Sequence, residues 1–510
     1  MGISVVQTFD FSIYLCSNFL SEMSPQLIGI FFLLYTSLIF VIAHFTSRKA
    51  TNATYLTGNR SSPWFLVAYG MIGASLSGVT FMSVPGWVGT SGFTYFMIVV
   101  GYLAGYFVIA MVLLPLYYKL KLTSIYSYLS ERYGLVSQKS GAMLFLLSRS
   151  IGSSLRMFLV IYVLHIFILD HFGIPFFVSA FVFIVLMLLY TYKGGIKTIV
   201  YTDTLQTTFM IASVIVTIIL IASQMDISVP KLVQKVFESS YSKVIENDWT
   251  SRHHWLKQFF SGMFITIAMT GLDQEMMQKN LTCKSLKDAQ KNMFTFSAIL
   301  LVVNMIFLIL GASLYMFAAH KGIAEPASTD QMFPMIALKV LGPVAAIVFI
   351  IGLISAAYSS ADGTITSLTT SFIVDILEVD KRYHDESQKK KVRLITHFCV
   401  TAILFALVLF FSLFSGKAVI DQVFTIAGYT YGPLLGLFAF GLFTKFNIRE
   451  KFVPIVAVLS PILSYILSSN SEQWFNGYVF GFELLILNGL FTFVMLLIMI
   501  KPSSKQKAQI

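Results

Sequence analysis

The sequence predicts an all-α polytopic membrane protein with about 13 transmembrane helices. Three observations predict it: 56% of the residues are hydrophobic, only 12% are charged, and long uncharged runs recur along all 510 residues. A mean hydropathy of +0.78 lies far outside the range of soluble domains. Several runs reach the roughly 20 residues that cross a hydrocarbon core of about 30 Å.

Residues 1–24 read as an extracytoplasmic N-terminal lead. Their apolar stretch from Val5 to Leu20 contains Asp10 and lacks both a basic start and a small-residue cleavage site, so it is not expected to be a signal peptide. Residues 25–62 supply an extra helix (26–46) and a cytoplasmic loop. Five spans follow at 63–88, 93–118, 140–168, 174–192 and 197–224, then an extracytoplasmic loop at 225–254. Five more are expected at 255–272, 292–319, 341–376, 392–414 and 418–444. Two peripheral helices, 451–469 and 477–500, lie within 445–500, and a cytoplasmic tail occupies 501–510.

The formal charge of +11 does not call for nucleic acid, because in a membrane protein the distribution of Lys and Arg matters more than their sum. With the N-terminus outside, the cytoplasmic segments carry 25 of the 35 basic residues. The predicted orientation is N-terminus out and C-terminus in, in a cell inner membrane. Cys16, Cys283 and Cys399 are scattered, without a CxxC or a His pair at ligand spacing, so no zinc site or disulfide framework is indicated. No Ser/His/Asp set or phosphate loop is visible, and His165 and His397 stand isolated near helix ends. The chain does not read as an enzyme.

Two spans are chemically unusual. The second carries Gly70, Gly73, Gly78, Pro85 and Gly86 together with Ser75, Ser77, Thr80 and Ser83. Proline removes a donor and glycine favours unwinding, and unwound backbone at membrane depth persists only where it lines a cavity or binds something. The plainer reading is a small-residue packing face. The ninth span holds an oxygen-rich run from Ser355 to Ser371. Ser359 and Ser360 follow Ala356 by three and four residues, so both hydroxyls project near its carbonyl as half a shell for a hard cation. Serines in membrane helices also commonly bond back to the preceding turn.

Asp203 and Asp362 lie inside spans, where a carboxylate costs at least about 2.5 kcal/mol by insertion scales. A salt bridge to Lys193 or Lys197 is the structural alternative for Asp203. Arg149 and Arg156 lie seven residues apart on one helix face, with no acid in that helix. Either anchors an anionic substrate, or they pair with Asp203 or Asp362 in the bundle; the sequence leaves both open.

Five stretches then resemble the sodium:solute symporter family over about residues 26 to 450. They are Ser75-Leu-Ser-Gly-Val-Thr-Phe-Met-Ser-Val-Pro85, Gly194-Gly-Ile-Lys-Thr-Ile-Val-Tyr-Thr-Asp-Thr-Leu-Gln206, Gly271-Leu-Asp-Gln-Glu-Met-Met-Gln-Lys-Asn280, Ala356-Ala-Tyr-Ser-Ser360 and Gly428-Tyr-Thr-Tyr-Gly-Pro433. The resemblance is nearest to the bacterial sialic-acid branch, which shares the Thr-Phe-Met-Ser-x-Pro run. It implies an inverted five-plus-five, LeuT-like core with a broken first core helix, the repeats covering 63–224 and 255–444. It also implies sodium-coupled symport of a small polar solute by alternating access: a sugar, a sugar acid such as sialic acid, an amino acid or a carboxylate.

On the same resemblance, sodium is bound by Gly73, Leu76, Ala356, Ser359 and Ser360, and the conserved acid of the fifth core helix is Asp203. Solute is met by Ser75, Ser77 and Thr80, with Arg149 or Arg156 as the arginine of the third core helix. Where the sialic-acid branch places two further serines for a second sodium, this chain has Asp362 and Gly363. Asp362, with Ser359 and Thr366 on its face, is therefore expected to serve as a second cation site or to take up a proton. The expected partners are the solute, sodium ions and lipid, with no organic cofactor, no nucleic acid and a monomeric chain. Two other functions fit the same residues: a proton-coupled symporter, and a membrane sensor that binds solute without moving it.

Overall fold

The computed structural model describes residues 25–48, 50–413 and 419–501. The lead at 1–24 and the tail beyond Lys501 lie outside the described residues. The described chain is helical throughout, without strands, apart from two isolated bridges, Ser62 to Cys283 and Ile448 to Ile500.

Helix α1 spans Pro25–Ser47 and is followed by the short α2, Asn52–Thr57. The expected second span is two half-helices, α3 (Trp64–Ser75) and α4 (Gly78–Ser91), separated by Leu76 and Ser77. Next come α5 (Tyr95–Val108), α6 (Leu135–Leu164), α7 (Phe176–Gly194) and α8 (Ile196–Gln224). A second broken span follows as α9 (Trp255–Thr266), a π turn at Ile267–Gly271, and α10 (Gln274–Asn280). The remaining long helices are α11 (Leu286–Lys321), α12 (Pro343–Ser371), α13 (Glu386–Phe411), α14 (Val419–Phe443), α15 (Val453–Trp474) and α16 (Leu484–Ile498), with short helices such as Val229–Glu238 and Met332–Lys339 in the connections.

Among the described residues, ten helices are long and apolar enough to cross a membrane. The difference from the expected count has a physical source. Breaks leave α3 at 12 residues and α9 at 12, each too short to span alone. Helices also merge, since Gly78–Lys119 forms one continuous run of 42 residues.

Small residues set the closest crossings. A Cβ on Gly101 of α5 would stand 2.1 Å from the Phe259 carbonyl oxygen of α9, and one on Gly262 would stand 2.1 Å from that of Ile98. Only glycine lets these two backbones touch, the usual device where lipid gives helices no hydrophobic reason to associate. At the end where the basic loops gather, Gln278 Nε2 donates to the Leu56 carbonyl (2.7 Å) and the Ser62 amide to that of Thr282 (3.0 Å). Tyr55 shares a 2.8 Å hydrogen bond with His397 Nδ1. These contacts tie the segment preceding α3 to α10 and α13.

Candidate functional site

Between the two broken spans lies a cavity of about 100 Å³. At the first break the backbone leaves helical geometry, with Leu76 at φ −88, ψ 55 and Ser77 at φ −49, ψ 172, so the Gly73, Ala74 and Ser75 carbonyls lose their i+4 donors while that of Ile72 keeps the Leu76 amide at 2.8 Å. At the second break the freed carbonyls of Gly271 and Leu272 are claimed by the Tyr117 and Tyr126 hydroxyls, each at 2.9 Å. Asp273 restarts the helix as α10, its carboxylate accepting the amides of Glu275 (2.9 Å) and Met276 (3.2 Å).

Ser75, Ser77 and Thr80 line the cavity, as do both arginines. Tyr95, Tyr102 and Tyr106 add aromatic lining, and Thr266, Thr270 and Asn304 further polar lining. The arginines differ in their surroundings. Arg149 is 5% exposed and its guanidinium meets Asp273 Oδ2 at 3.4 Å and Glu275 Oε2 in a close ion pair, while Nε donates to Thr364 Oγ1 at 3.3 Å. Its partners are thus acids of α10, neither Asp203 nor Asp362. Arg156 is half-buried against the cavity, and no ion pair or hydrogen bond ties it to any described residue.

Of the candidate sodium-site residues, Gly73 and Ser359 approach one another where α3, α8 and α12 meet. The Gly73 amide donates to Thr207 Oγ1 (3.0 Å), and a Cβ on Gly73 would lie 3.0 Å from Ser359 Oγ. Leu76 stands at the break itself, and Ala356 is fully buried. Ser359 donates to Asp203 Oδ1 at 2.9 Å, which leaves its oxygen lone pairs free for a cation. Ser360 Oγ is buried with no hydrogen-bond partner, an orphaned oxygen that a cation would satisfy. The donor set, carbonyls and hydroxyls, suits a hard monovalent ion.

Asp203 is wholly buried, and its other oxygen meets Lys279 Nζ of α10 at 2.7 Å, so its counter-charge is neither Lys193 nor Lys197. Asp362 turns to a different helix: Tyr190 of α7 donates to its Oδ2 at 3.0 Å, and the Gly363 amide to its Oδ1 at 2.5 Å. Thr366 Oγ1 is buried without a partner. Ser359 and Asp362 therefore share a helix face but engage different neighbours.

Sequence reasoning missed α10. Gly271 to Asn280 is so polar that it reads as loop, yet Asp273, Glu275 and Lys279 are each at most 1% exposed. The Asp-Gln-Glu spacing after a glycine, an N-cap followed by an acidic first turn, was the available signal.

Two broken spans facing each other around a cavity, with unwound backbone beside buried hydroxyls, define a secondary transporter of the LeuT-like type. The sequence profile of the sodium:solute symporter family matches residues 55–449, and the chain belongs to that family. Its fold is also that of a Na+-coupled sialic acid symporter solved in a substrate-bound outward-open state, with a TM-score of 0.80 at 20% identity, covering 93% of this chain and 98% of that one. The sodium/sialic acid symporter of Proteus mirabilis is 24% identical over 462 residues, 88% of this chain and 91% of that protein. Sodium-coupled monocarboxylate transporter 1 of Mus musculus is 24% identical over 410 residues, 78% of this chain and 65% of its own length. The chain is accordingly a sodium-coupled symporter of a small polar solute rather than an enzyme, with sodium as coupling ion.

Proposed function

We propose that the solute is a carboxylate-bearing, hydroxylated small molecule, a sugar acid such as sialic acid or a smaller monocarboxylate, held by Arg156. The carrying observation is the contrast between the arginines: Arg149 is neutralised by two acids, whereas the Arg156 guanidinium borders the cavity without one. A desolvated guanidinium with its fork open selects carboxylates. Ser75, Ser77 and Thr80 supply neutral hydrogen bonds to the solute's hydroxyls. The proteins similar to this chain include symporters of sialic acid and of monocarboxylates, both anions.

Sodium binds between the Gly73, Leu76 and Ala356 carbonyls and the Ser359 and Ser360 hydroxyls, bracing α3 against α12 and completing the solute cavity. Asp203, Asp362 and Thr366 form the adjoining coupling cluster. The monomer imports solute across the cell inner membrane, with the N-terminus outside and the C-terminus in the cytoplasm. One positive charge falling through 100 mV supplies about 2.3 kcal/mol before the sodium gradient is counted.

The test is uptake into proteoliposomes under an inward sodium gradient, with radiolabelled sialic acid, a short monocarboxylate and a neutral hexose offered separately. Sodium-dependent accumulation of one of the acids and none of the hexose is expected. Accumulation of the neutral sugar alone would overturn the anion assignment.

A further inference from the structure

About two helical turns from Arg156 along α6, toward its N-terminal end, Arg149 also lines the cavity, as does Met276 of α10. The charged side chains of α10 and its N-cap reach neighbouring helices. Asp273 and Glu275 reach Arg149 of α6, and Asp273 also accepts the Tyr431 hydroxyl of α14 at 2.5 Å. Thr364 of α12 donates to Glu275 Oε2 at 2.9 Å and shares a 2.7 Å hydrogen bond with Ser153 of α6. Lys279 reaches Asp203 of α8.

Gly363 shows how closely α10 is docked. A Cβ there would stand 2.6 Å from Glu275 Oε1 and 2.8 Å from its Cδ, so the glycine is the socket that receives the carboxylate. Asp362 and Gly363, which the sequence presents as an altered second sodium site, therefore have separate roles: Gly363 gives its side-chain space to Glu275.

We propose that Arg149 is a positioning residue of the transport cycle, a lock that holds half-helix α10 over the cytoplasmic exit through Asp273 and Glu275, and that solute leaves only when this lock parts. Buried ion pairs contribute little net stability compared with apolar packing of the same volume, but they discriminate strongly between docked and undocked arrangements. That is the property a gate needs. The lock also shares α10 with the sodium site, because Asp203 receives Lys279 on one oxygen and Ser359 on the other. Sodium held by Ser359 thereby favours the docked position of α10, and its departure loosens it. The inference rests on the orientation and the transport function proposed above.

The experiment uses Met276→Cys as a reporter in a full-length background with Cys16, Cys283 and Cys399 replaced by Ala. Oriented vesicles in sodium are treated from either side with a membrane-impermeant thiol reagent. The parent is expected to be protected from the cytoplasmic side. Glu275→Gln keeps the shape but removes one charge, Asp273→Asn removes the other, and Gly363→Ala keeps all charges but fills the socket. Each is expected to raise cytoplasmic labelling at least threefold while leaving the solute KM within twofold.

Unchanged labelling in Glu275→Gln and Gly363→Ala would overturn the lock. So would a raised KM with unchanged labelling, which would make Arg149 a solute ligand. Loss of folded protein in all three variants would also overturn it, since the contacts would then maintain the fold. A parent labelled only from the opposite side would instead refute the orientation, a distinguishable result.

Discussion

At the residue scale, function turns on which polar groups are satisfied by the protein and which await a ligand. Ser359 and Ser360 are adjacent, but the first gives its proton to Asp203 and the second has no partner. Replacing either by Ala removes one oxygen from a charged ligand's shell, a loss of about 1.5 kcal/mol. The sodium concentration for half-maximal uptake should rise roughly tenfold in each, with membrane insertion unchanged. Sodium titration of initial uptake rates checks this, and an unshifted midpoint would remove both hydroxyls from the site. Arg156→Gln should reduce uptake of the anionic solute about 100-fold, the effect of losing one or two charge-assisted hydrogen bonds. Uptake at parental rates would exclude Arg156 as the anchor. Asp362→Asn retains an acceptor for Tyr190 but loses the charge, so sodium affinity should fall while solute affinity at saturating sodium stays constant. Isothermal titration of sodium into the detergent-solubilised variant is the direct measurement.

At the element scale, the broken helices decide the fold. The first break was readable because Gly73, Gly78 and Pro85 crowd a span that is otherwise apolar, and a continuous helix is then disfavoured. The second was not, because α10 buries acidic and basic residues whose partners lie more than 70 residues away in sequence: Glu275 with Arg149, and Lys279 with Asp203. Local composition cannot report such pairing, so a buried half-helix imitates a polar loop. Helical spacing alone puts Ser359 and Ser360 beside the Ala356 carbonyl, whereas the ion pairing of Arg149, which Arg156 lacks, depends on Asp273 and Glu275 and could not be read from α6. The α5–α9 crossing supplies an element-level test. Gly101→Val would drive a branched side chain into the Phe259 carbonyl, a strain of about 1–3 kcal/mol or more. Thermal unfolding of the purified protein should show a lowered midpoint and a smaller monodisperse fraction, while Gly152→Val, which meets nothing within 4 Å, should leave both unchanged.

At the scale of the whole molecule, the charge distribution and the buried network bear on the same question, namely which gradient does the work. One sodium ion moving with one anionic solute carries no net charge, so inward movement of an anion against a negative interior needs at least one further cation to be driven by voltage. Transport with two cations per anion carries net positive charge inward; transport with one is electroneutral. On the function proposed above, the Ser359 and Ser360 hydroxyls would take one sodium ion and the cluster of Asp362 and Thr366 the other. Uptake by the wild type should therefore be accelerated severalfold by an inside-negative potassium diffusion potential at fixed sodium, and paired flux measurements should give two sodium ions per solute. Replacing sodium by choline should abolish accumulation, and an inward proton gradient should not replace it. Indifference to voltage together with a flux ratio of one would confine sodium to the Ser359 and Ser360 region, and accumulation driven by protons alone would shift the coupling to the carboxylates of α8 and α12.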